Sequence, residues 1–101
     1  MAYFLLIADH PKWPLYLVAS YLDHGRRYVW FDLRAARKKA GKNMFMLCWS
    51  IDDKAIVPST EWKQLVAYDK DLAQWALMKI ENHMSKENID VEIENGNADD
   101  F

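Results

Sequence analysis

From Trp62 to Met84, the apolar residues Trp62, Leu65, Val66, Leu72, Ala73, Ala76, Leu77, Ile80 and Met84 recur at helical spacing, and one carboxylate, Asp69, stands in the middle of the stripe. A continuous helix would bury that charge among apolar neighbours, where an unpaired carboxylate is costly. The spacing therefore predicts two helices with a break near Tyr68. Ser59 or Thr60 with Glu61 opens the first, and Asp69 caps a second that runs to residue 84.

Upstream, residues 3–8 form a short continuous apolar run ended by Asp9-His10-Pro11, the pattern of a strand buried on both faces. Over residues 14–24, Leu15, Val18, Ala19 and Leu22 recur at i, i+3, i+4 and i+7, with Pro14 at the start and Gly25 just past the end, which predicts a helix. A hairpin strand is the alternative for the same residues, since Tyr16-Leu17-Val18 is β-compatible and His24-Gly25 can turn the chain. Residues 26–31 read as a second strand. Asp32 then offers a cap to a short helix over 33–40 that stops at Gly41. A third strand over 43–51, a turn at 52–54 and a brief return strand over 55–57 ended by Pro58 complete a hairpin. After the two helices, Ile89, Val91 and Ile93 alternate with Asp90, Glu92 and Glu94, the pattern of a half-buried strand.

The expected architecture is an α/β (or α+β) domain, a small mixed sheet covered by three to four helices in the order β-α-β-α-β-β-α-(α)-β. Its first seven elements are similar in order to a thioredoxin-like fold, without that fold's Cys-x-x-Cys. With 101 residues, 51% of them hydrophobic, the chain has material for one packed core, set at residues 1–94 with 95–101 as an acidic disordered tail. Only three Gly and three Pro argue against a barrel of many tight turns. The single cysteine, Cys48, lies in the apolar run 44–49 and is expected to be a buried, inert thiol. No basic leader and no apolar run of membrane-spanning length is present, so the expectation is a cytoplasmic protein with no membrane partner.

Charge is distributed unevenly. Residues 1–42 hold eight Lys and Arg against three Asp, a net of +5, whereas residues 43–101 hold five against twelve, a net of −7. Arg26, Arg27, Arg34, Arg37, Lys38 and Lys42, with Tyr28, Trp30 and Phe31 beside them, combine the cations and aromatics that hold single-stranded nucleic acid. On a helix, Arg34, Arg37 and Lys38 would share one face. Downstream, Asp90, Glu92 and Glu94 on a strand would form a rail of carboxylates about 6.6 Å apart. Asp99, Asp100 and Phe101 would extend it as an acidic tail with a terminal aromatic anchor. Edge protection by charge is the ordinary use of such a strand.

Catalytic signals are sparse. Asp9-His10 and Asp23-His24 are dipeptides at element ends, His83 is a lone histidine on the apolar stripe, and no set of ligands has metal-site spacing. The expectation is a non-enzyme without cofactor or metal. The leading reading is a small stand-alone macromolecule-binding protein, an inhibitor or adaptor of the kind that phage and other mobile elements encode. It docks its acidic C-terminal surface on a protein partner with a basic, nucleic-acid-binding surface. The alternative is a nucleic-acid-binding module using residues 26–42, and the third is a small enzyme built on Asp9 and His10.

Overall fold

The computed structural model describes residues 5–37 and 40–95, the last nine as backbone only. Strands come first and helices after. β1 (Leu5–Ala8), β2 (Leu15–Asp23), β3 (Arg26–Arg34), β4 (Met44–Ser50) and β5 (Ala55–Ile56) form one antiparallel sheet in chain order. They are followed by α1 (Thr60–Tyr68) and α2 (Lys70–Asn95). Among the described residues no helix lies between strands. This overturns the expected mixed sheet with interleaved helices and the thioredoxin-like order with it.

Where the helix was expected over 14–24 the chain forms β2, Leu15–Asp23, with one irregularity. Leu15 pairs with Leu33 and Leu17 with Phe31, but the register then slips at Val18, and Ala19 pairs with Trp30 and Tyr21 with Tyr28. The bulge turns the side-chain alternation over in mid-strand, so apolar residues fall at 15, 17, 19 and 21 on two different faces. The helical spacing of Leu15, Val18, Ala19 and Leu22 therefore joins residues of both faces and the bulge itself, and marks no single apolar face. The β2–β3 turn is His24-Gly25, with φ of 52° and 77°, the positive values that a two-residue type I′ hairpin requires.

β3 also runs further than expected. Leu33 and Arg34 stay in the sheet opposite Phe45 and Met44, and Asp32 is a fully buried strand residue rather than a helix cap. The expected helix over 33–40 is absent where the chain is described. There the loop is held by Ala35 N–H to Asn43 O (2.8 Å) and Ala36 N–H to Lys12 O (2.9 Å). β4 and β5 are joined through a turn in which Ser50 Oγ donates to the Asp53 carboxylate and accepts the Asp53 backbone N–H, and Lys54 N–H reaches Ser50 O.

The helix break falls where Asp69 predicts it. Asp69 Oδ1 accepts the Leu72 N–H at 3.1 Å, and its backbone is extended with φ −161°, so its carboxylate caps α2 instead of entering the core. α2 then continues to Asn95, well past the expected end, and the strand expected at Ile89–Ile93 is helical. Extending an existing helix adds one bond per residue ordered, and no Gly or Pro stands between Pro58 and Gly96 to stop it. The alternation at 89–93 has no sheet edge to join. Of the expected tail 95–101, only Asn95 is described, as the last residue of α2.

Both helices contribute to one side of the sheet. Leu15, Val29, Phe31, Leu33, Phe45, Leu47 and Trp49 meet Leu65, Leu72, Ala73, Ala76, Ile80 and Met84, and all are buried. His83 stands edge-on to Phe31 at 6.0 Å, as a structural contact of this core.

Candidate functional site

Among the described residues, no helical layer lies over the other side of the sheet. On β3 the residues Arg26, Tyr28, Trp30, Asp32 and Arg34 alternate with the core set Val29, Phe31 and Leu33, and so line the uncovered face in one row. β2 adds Ala19 and Tyr21 beside them, and β4 adds Met46, Cys48 and Ser50. Tyr21 and Tyr28 stack with centroids 5.4 Å apart and planes 24° from parallel. Tyr21 and Met46 are each 44% exposed, and Trp30 is half-buried.

Asp32 is the polar centre of this face. It is fully buried, accepts the Trp30 indole N–H at 2.6 Å on one oxygen and the Arg34 guanidinium at 3.0 Å on the other. Burial pushes its pKa above the ordinary 3.8, and the Trp30 and Arg34 contacts offset part of that shift. The geometry fixes the indole and the guanidinium relative to each other through one carboxylate.

Where β5 ends, β4 loses its neighbour, and a groove of about 540 Å³ opens between the uncovered face and the start of α1. Its sheet side is Ala19, Tyr21, Trp30, Met46 and Cys48, and its helix side is Val57, Pro58, Thr60 and Glu61. Glu61 Oε2 accepts from Lys42 Nζ at 3.0 Å and from the Met46 N–H at 3.4 Å, which occupies a backbone donor that β5 is too short to reach. The Tyr21 hydroxyl lies 3.2 Å from Cys48 Sγ. That hydrogen bond, and then burial, push Tyr21 up to about 12. Cys48 is thus a half-buried groove residue rather than the core thiol that its apolar run suggests.

The basic residues expected to form a site are distributed differently from the helical arrangement. Arg26 pairs with Asp53, Arg27 with Asp52 at 3.1 Å, Arg34 with Asp32 and Lys42 with Glu61. The Asp53 carboxylate raises the Arg26 pKa, and the Arg27 backbone and side-chain donors lower that of Asp52. Arg37 is exposed in the β3–β4 loop and Lys38 lies outside the described residues. Arg34 lies in β3 and Arg37 in the loop after it, so these two do not share a helical face. Of the aromatics named with them, Phe31 is core, whereas Tyr28 and Trp30 stand on the uncovered face.

The acidic rail does not form as expected. Asp90, Glu92 and Glu94 lie on α2, where residues two apart turn by about 200° and cannot share a face. Asp99, Asp100 and Phe101 lie outside the described residues. His10 Nδ1 accepts the N–H groups of Lys12 (3.0 Å) and Trp13 (2.9 Å), and its ring meets Trp75 at 4.8 Å, so Asp9-His10 forms a turn. Asp23-His24 sits at the hairpin tip, far along β2 from it.

Sequence reasoning missed Tyr21, Met46 and Glu61 as site residues. The signal for part of the face was present in the alternation Arg26, Tyr28, Trp30, Asp32, Arg34, which needed only the second strand extended by three residues. No helix among the described residues is long and apolar enough to cross a membrane. Comparison with protein-family models, curated proteins and solved structures returned no match in any of the three.

Proposed function

We propose that the chain binds unpaired nucleic acid across its uncovered sheet face. The row on β3 carries this reading, because two cations, Arg26 and Arg34, bracket the ring planes of Tyr28 and Trp30, with Tyr21 stacked alongside. The cations are about 27 Å apart by strand rise, a span that an extended strand of several nucleotides follows. Bases stack on aromatic planes whatever their identity, and guanidinium groups meet the phosphates. The Arg26–Asp53 pair is exposed on both sides, where solvent screens the attraction, so a phosphate can exchange for the carboxylate.

The acidic excess does not oppose this. Asp71 and Glu81 belong to α2 and Asp69 caps it, and α2 packs on the opposite face of the sheet, so these carboxylates lie away from the row on β3. Docking of the acidic C-terminus on a basic protein has less support, since its regular rail required a strand where the chain is helical.

Fluorescence anisotropy with labelled single-stranded DNA and RNA, and a duplex control, tests the proposal. The expected result is single-strand binding that falls as salt rises, and that weakens by about tenfold or more in Trp30→Ala, as stacking of one base would predict. Absence of binding to any single strand at low salt, or an unchanged affinity in Trp30→Ala, overturns it.

A further inference from the structure

The groove beside α1 differs from the rest of the uncovered face in having one polar edge. Its walls are apolar and aromatic, with Trp30 and Met46 on one side and Val57 and Pro58 on the other. At its edge, the Glu61 carboxylate is an acceptor held 3.0 Å from a donor, Lys42 Nζ. A flat ring with a hydrogen-bonding rim fits such a slot, and a cation beside the slot suits an occupant attached to a phosphate chain.

We infer that this groove takes one nucleobase of the bound strand and selects, through Glu61, bases that carry an exocyclic amine. The inference rests on the nucleic-acid reading above and adds a base preference to it. Cytosine presents an amino group to an acceptor of this kind, and carboxylates read cytosine through that group. Thymine and uracil have the same ring size but replace the amine with a carbonyl oxygen. Their one ring N–H donor is flanked by carbonyl oxygens on both sides, which would face the carboxylate and be repelled by it. Lys42, 3.0 Å from the Glu61 carboxylate, holds it in orientation and can donate to a ring carbonyl or to the adjacent phosphate.

Cytosine and thymine homopolymers of equal length have the same backbone charge and similar stacking area, so their difference reports the base edge. Measured on the full chain by anisotropy at one salt concentration, oligo-dC should bind about tenfold tighter than oligo-dT, the size of one charge-assisted base contact. In Glu61→Gln, whose amide both donates and accepts, the ratio should fall to near one while the thermal melt stays cooperative. Equal affinities of the wild-type protein for dC and dT, with the Trp30→Ala loss intact, overturn the base preference and leave single-strand binding standing. A dC preference that survives in Glu61→Gln overturns the role of Glu61. If neither homopolymer binds, both readings fall. The wild-type comparison decides the preference without any variant.

Discussion

The two faces of the sheet are made from adjacent residues of the same strands, yet they have opposite chemistry. Phe31 is fully buried between sheet and helices, while Trp30, one residue earlier, lies half-exposed and bonded to a carboxylate. On the covered face every large side chain meets another apolar group, as a core requires. On the uncovered face, rings, thioether, thiol and an ion pair share the surface, an assortment with exposed apolar area that stability alone does not call for. The difference teaches that one face holds the fold and the other is available for a partner.

That division is broken most directly by a pair of truncations at neighbouring positions. Phe31→Ala removes a fully buried ring and should cost about 3–5 kcal/mol, much of the stability of a domain of this size. Trp30→Ala should cost clearly less in a denaturant melt while reducing oligonucleotide binding, so stability and binding separate by face. A Trp30→Ala variant as unstable as Phe31→Ala would mean that the uncovered face is a second core with its cover absent from this chain.

A smaller effect sharpens how the cover is attached. α2 begins at Lys70 because Asp69 turns the chain and accepts the Leu72 N–H. Asp69→Ala should destabilise by about 0.5–2 kcal/mol, the usual range for loss of a capping side chain. A neutral or stabilised variant would mean that the carboxylate is a burden on a helix that would otherwise run straight through. Binding by the uncovered face should be unaffected, because α2 does not line it.

The parts of this fold legible in sequence were those whose local rule was unbroken. Asp69 in an apolar stripe, the turn at 52–54 and the strands around Trp30 and Leu47 each follow from spacing and residue type. Misreading came where one rule imitated another. The apolar residues at helical spacing, Leu15, Val18, Ala19 and Leu22, lie on both faces of β2 and at its bulge, and the central sequence with the His24-Gly25 pair suited a hairpin equally well. Asp32 has the chemistry of a helix cap, but its carboxylate is satisfied by Trp30 and Arg34, each two residues away on the same strand, a pairing that forms only once β3 is extended past residue 31. At 89–93, alternation was genuine in the sequence and lost to propagation of a helix already formed. The candidate face was half-visible for the same reason, since a strand assignment shows which residues share a face but not which face stays uncovered. Glu61 had no local signal at all, because its role depends on β5 being too short to pair with Met46.

The smallest expected effect compares two carboxylates, one on the uncovered face and one in the turn between β4 and β5, through the pH dependence of stability. Asp32 has its pKa raised by burial, so between the ordinary 3.8 and its higher folded value the native state holds a proton that the unfolded chain lacks. Lowering the pH through that window therefore adds stability, which then levels off below 3.8. Asp52 is shifted the other way, first by the Arg27 backbone N–H and then by its side chain. Its contribution is complete above 3.8 and is lost as pH falls through its lowered folded value. Descending from neutral pH, the protein should first gain from Asp32 and only then lose from Asp52. Asp32→Asn keeps an acceptor for the Trp30 indole but cannot titrate, so its denaturation midpoints should lack the early gain and retain the later loss. Asp52→Asn should do the reverse. Equal pH profiles for wild type and Asp32→Asn would mean that Arg34 compensates the buried charge fully. The carboxylate between the ring and the guanidinium would then be an ordinary ion pair of no cost to the face it organises.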